Sequence, residues 1–132
     1  MASGIYDAFK NDLFLKQVSL TVDSFKVALY DNTHVFTSTD TVYTATNEIA
    51  GTGYTAGGVA LGSLAVTGTS TQAWDAADSE WTTATFSAYH AVIYDVTNSN
   101  SLVCNIDFGG IQTVTAGTFT IQWHANGIIT LA

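Results

Sequence analysis

Four sets of residues have types and spacings that could do chemistry. The stretch NEIAGTGYTAGGVAL (47–61) gathers Gly51, Gly53, Gly57 and Gly58 in a chain with 11 glycines and no proline. A phosphate cradle would need G-x-G-x-x-G between a strand and a helix, with backbone N–H groups turned to the anion. Here the third glycine falls one place late, Ala56 stands where glycine is wanted, no lysine follows, and VALGSLAV reads as strand. The glycines therefore read as a tight connection or bulge needing positive φ. WDAADSEW (74–81) brings Asp75, Asp78 and Glu80 together, the raw material for acid–base work or a calcium site. The spacing is not that of a calcium loop, and it reads as a solvated turn anchored by Trp74 and Trp81. His34, His90 and His124 are scattered without metal-ligand spacing. Cys104, the single cysteine, alternates with Leu102 and Ile106, so it reads as a buried, inert thiol rather than a nucleophile. Tyr43, Tyr54, Trp74 and Trp81 could form a stacking platform for a sugar, although large aromatics more commonly supply core area. Nothing commits the chain to catalysis, and no metal or cofactor is implied.

The elements that must position these residues are mostly strands. Ile5, Tyr6, Phe9, Leu13 and Phe14 recur at helical spacing, which predicts one short N-terminal helix within residues 1–18. Ser3 is its expected N-cap, Asp7 lies in an early turn and Lys16 near the far end, as the helix dipole favours. From residue 19 onward the pattern alternates. SFKVALYD sets Phe25, Val27 and Leu29 against Lys26, Ala28 and Tyr30. TVYTAT and VALGSLAV are further expected strands, as are EWTTATFSA and YHAVIYDVT, joined by a bend near Ser87. SLVCNIDFGG places Leu102, Cys104, Ile106 and Phe108 on one face, and TFTIQWHA groups Phe119, Ile121 and Trp123. Asn98–Ser101 and Asn126–Gly127 read as turns, the latter as a hairpin. The expected architecture is mainly β: one domain, residues 1–132, an antiparallel β-sandwich or jelly-roll-like fold over 19–132 with the helix at its start.

Composition narrows the partners. Hydrophobic residues make up 47% of the 132 positions and charged residues only 11%, enough apolar content to fold and too little charge for a disordered chain. Net charge is −8; the only cations are Lys10, Lys16 and Lys26, and arginine is absent. A chain with only acids after Lys26 offers nothing to displace phosphate counterions or to meet an anionic membrane. Nucleic acid and membrane are thus the wrong partners. A lone cysteine permits no internal disulfide, and MASGIYDAFK lacks the basic-then-apolar pattern of a secretory signal. Synthesis in a reducing cytoplasm is expected.

The order of the pieces resembles a known layout. IYDAFKNDLFL leads into SFKVALYDNTHVF, then NEIAGTGYTAGGVAL, AWDAADSEWTTATFSAYHAVIYDVT, SLVCNIDFGG and GTFTIQWHANGIITLA. Across essentially the whole chain this is similar to small structural proteins of tailed bacteriophages, many of them resembling capsid cement, or decoration, proteins. The resemblance implies a non-enzymatic virion protein made in the host bacterial cytoplasm and carried on the outer capsid surface. Its implied partners are the major capsid protein and further copies of itself, as a dimer or trimer. A neck or tail component is the neighbouring possibility, and a glycan- or receptor-binding β-sandwich the one from a different class. An acidic exterior protein keeps clear of packaged DNA. Lys10, Lys16 and Lys26 are the expected capsid contacts, as the only groups able to meet an acidic capsid face.

Overall fold

A computed structural model describes residues 3–132. The chain is mainly β, with two antiparallel sheets stacked in the manner of a sandwich and one short helix near the N-terminus. In chain order the elements are β1 (Gly4–Ile5), α1 (Asp7–Phe14), β2 (Phe25–Tyr30), β3 (Val59–Ala60), β4 (Ala65–Gly68), β5 (Gln72–Asp75), β6 (Ser79–Asp95), β7 (Ser101–Ile121) and β8 (Ile129–Leu131). The larger sheet runs β1-β7-β6-β2-β3 and the smaller β4-β5-β8. Five plus three strands, built around one long β6–β7 hairpin, form the sandwich.

Both faces of the larger sheet are covered, and the alternation of β2 shows how. Phe25, Val27 and Leu29 join Ala91, Ile93, Val103 and Cys104 in the core between the sheets, where Trp74 arrives from the smaller sheet. Ala28 and Tyr30 turn the other way, to Tyr6, Val92, Tyr94 and Leu102. Phe36 and Tyr43, from the long connection after β2, pack over that second face.

Several expected elements differ. The helix spans only Asp7–Phe14, and its N-cap is Tyr6, with no side-chain cap. Ser3 instead accepts a hydrogen bond from the Asp107 N–H at 2.8 Å, because Gly4 and Ile5 are taken up as a strand against Asn105 and Cys104. Lys16 lies past the helix end at φ 60°. TVYTAT is no strand; Val42 makes an isolated bridge to Ser101. VALGSLAV is split between the two sheets as β3 and the start of β4. The two pairs of expected long strands fuse into β6 and β7, with register irregularities taking up the bends. One of these places Leu102 opposite Tyr94 and Cys104 opposite Ile93. Val103 is therefore the extra residue of a bulge, and Leu102 points to the face opposite Cys104. At Asn126–Gly127 a turn does form, with Gly127 N–H bonded to the His124 carbonyl at 2.8 Å. It leads from β7 in one sheet to β8 in the other, so it is not a hairpin.

Candidate contact surface

The acid, thiol and glycine groups singled out by type occupy structural positions. Asp75 Oδ1 accepts from the Ala76 N–H at 2.8 Å, Asp78 Oδ1 accepts from the Trp123 N–H at 3.3 Å, and Glu80 is exposed. Trp74 and Trp81, on either side, are buried. Among the described residues, no three His, Cys, Asp or Glu side chains form a group able to hold a metal ion. Cys104 is buried, and burial pushes its thiol up to about 12. It faces the inter-sheet core, across the sheet from His34 and His90. A thiol so hard to ionise is a poor nucleophile.

The glycine loop does hold an anion, and it is the loop's own Glu48. Gly57 N–H donates to Glu48 Oε2 at 2.7 Å. The Tyr54 hydroxyl donates to the same oxygen and accepts from the Leu29 N–H at 3.0 Å, while the Tyr43 hydroxyl donates to Oε1 at 2.5 Å. Burial, and then the bond to Glu48, hold both phenols well above the usual tyrosine range, so they remain donors. Tyr43 stacks on Tyr94 with ring centroids 4.5 Å apart, and Tyr94 in turn donates to the Gly57 carbonyl at 2.6 Å. Tyr43, Tyr54, Trp74 and Trp81 are all partly or fully buried. This network pins the long connection to the second sheet face.

Two histidines that look scattered in sequence meet in space. The rings of His34 and His90 lie edge to face, with centroids 5.0 Å apart. The His34 Nε2 is 3.0 Å from Asn105 Oδ1. His34 lines a cavity of about 310 Å³ with Tyr6, Tyr30 and Asp40. Burial, and then His34, hold His90 below the usual histidine range. The signal for this meeting is the register, Tyr30 opposite His90, which requires knowing that β2 pairs with β6. His124 lies apart, accepting from the Asn126 N–H at 3.0 Å.

Among the described residues, the most exposed large hydrophobic side chain, Phe14, is on α1. The helix is tied down by Asp12, whose Oδ2 accepts from Asn98 Nδ2 at 3.0 Å and Ser101 Oγ at 2.7 Å, at the β6–β7 turn. Because Asp12 and Phe9 take the inward positions, the following residues roll outward. Phe14, expected on the buried face, is 92% exposed, and Leu13 and Leu15 are 42% and 57% exposed. Between α1 and the smaller sheet lies an apolar groove of about 410 Å³, lined by Phe9, Leu13, Trp74, Ile129 and Leu131 among others, with Lys10 beside it. Lys10 Nζ is 3.4 Å from Asp7 Oδ1, an exposed pair that contributes little. Lys16 follows directly on Leu15. Lys26 lies on β2, half-buried, with β6 between it and β7, the strand against which α1 packs. Of the three expected contact lysines, Lys10 thus lies on the helix, Lys16 just past its end and Lys26 on the sheet.

Comparison with family models, with curated proteins and with solved structures returned no match.

Proposed function

We propose that this protein is a virion structural component of a tailed bacteriophage, a cement protein that binds the outside of the expanded capsid and straps subunits together. It has no catalytic role in this reading. The observation that carries the contact is α1 and its end, where Phe14 and Leu15 stand exposed, Phe14 one turn after Lys10 and two residues before Lys16, while Lys10 and Leu13 line an apolar groove. An exposed aromatic beside cations is the kind of anchor that protein interfaces use, and the rest of the chain is acidic. The sequence resemblance supports the same reading. Lys10 and Lys16 steer the helix end onto an acidic capsid face, and Phe14 supplies the buried area.

The test is co-sedimentation with expanded, undecorated heads, read as bound copies per capsid subunit. Saturable binding near one copy per subunit is expected. Binding of about a dozen copies per particle would make it a neck or tail protein, and no binding would overturn the reading. Lys10→Gln with Lys16→Gln and Phe14→Ser should weaken attachment by at least ~10-fold, about 1.4 kcal/mol, while Lys26→Gln should leave it unchanged.

A further inference from the structure

The longest strand has one side unpaired. β7 pairs with β6 along its length, but on its other edge β1 covers only Cys104 and Asn105. Beyond Asp107, whose N–H is taken by Ser3 Oγ, the outward N–H and C=O groups of Phe108 to Ile121 have no neighbouring strand among the described residues. Natural proteins protect such an edge with lysine, proline, inward charge, short length or bulges. Here only register irregularities are present, since residues 108–121 hold no Asp, Glu, Lys, Arg or Pro. The edges of the smaller sheet, by contrast, are only four and three residues long. Beside β7 an open groove of about 400 Å³ is lined entirely by residues of that strand, Phe108, Phe119 and Ile121 among them. Room and hydrogen-bonding capacity coincide there.

We infer that β7 is a self-association edge, where a second copy of this chain pairs its own β7 antiparallel about a two-fold axis. Charge selects the occupant. Each copy carries a net −8 and repels its twin almost everywhere, but across this edge neither copy presents an ionisable group. A cationic partner strand would find no carboxylate here, whereas the same neutral, β-branched strand on a second copy meets every requirement. Register irregularities on either side leave Gln112–Val114 as the regular run, opposite Phe86–Ala88. The two-fold axis then falls at Thr113, pairing Gln112 with Val114 and Ile111 with Thr115 of the second copy. Bulges at both ends keep the contact short and closed, so a dimer forms and not an open stack. This inference stands independently of the capsid reading, because it is read on the protein alone.

Light scattering coupled to gel filtration should give twice the 14.0 kDa chain mass at micromolar concentration. Ile111→Lys with Thr115→Lys sets lysines against one another across the axis and should return the monomer with an unchanged circular dichroism spectrum. Should that pair of substitutions disturb the fold, Thr113→Cys provides an independent readout. Mild oxidation should link this variant to its twin, while Ser70→Cys, in an exposed turn, should stay unlinked. A monomeric or trimeric wild type, a dimer that survives the lysines, or a Thr113→Cys variant that links no faster than Ser70→Cys would each overturn the inference.

Discussion

Asp95 is enclosed at the end of β6, with 1% exposure. Its Oδ1 accepts from the Asn98 N–H at 3.2 Å, while no protein N–H or O–H among the described residues reaches its Oδ2. Burial first, and the Asp23 hydrogen bond second, raise the Asp95 carboxyl to about 7. The native state therefore keeps a proton that the unfolded chain releases near its ordinary value of about 4. Stability from this group is complete below about pH 4 and is lost as pH rises toward 7. Asp95→Asn removes the titration. The variant should match wild type in Tm at pH 4 and exceed it at pH 8. A variant less stable than wild type at pH 8 would mean that the carboxylate is held by interactions beyond these. The pairing of Asp23 with Asp95 was not legible in the sequence, since it depends on how the Ser19–Asp23 turn meets the end of β6.

At the scale of elements, the glycine loop shows what the sequence can and cannot announce. Its clustering correctly marks a tight connection, yet only the fold says against what. A side chain at Gly58 would drive its Cβ into the Val27 carbonyl, at φ +83°. Neither the backbone of β2 nor a left-handed non-glycine residue can yield cheaply there. Gly58→Ala should cost at least ~2 kcal/mol in denaturant unfolding. Gly62, with nothing within 4 Å of its added Cβ, should change stability by less than about 0.5 kcal/mol as Gly62→Ala. Equal effects at the two positions would refute this account of the loop. The helix obeys the same division between local pattern and tertiary partner. Three- and four-residue spacing locates α1, but Phe14 is outside because Asp12 finds partners at the β6–β7 turn.

For the molecule as a whole, charge acts against compactness. Eleven acids stand against three lysines, and Lys10–Asp7 is the one ion pair among the described residues. Salt therefore has more repulsion than attraction to screen. Raising ionic strength from low to about 0.5 M should increase Tm by a few °C at neutral pH, since ~1 kcal/mol corresponds to roughly 4 °C at this size. A fall in Tm would show that attractive pairs dominate after all.

Periodicity, composition and residue size act locally, and they were enough to specify a mainly β chain and one short helix near its start. They also specified the alternating strand β2, the buried tryptophans around the acidic turn and the inert cysteine. The rest came from tertiary pairing. A single extra residue at Val103 turns Leu102 to the other face, invisible to alternation because bulges shift the pleat without changing residue type. The register of β2 against β6 brings His34 to His90, and the long connection carries Glu48 under two tyrosines. The open edge of β7 and the outward Phe14 are likewise products of what pairs with what, because a strand's exposure depends on its neighbours and not on its own residues.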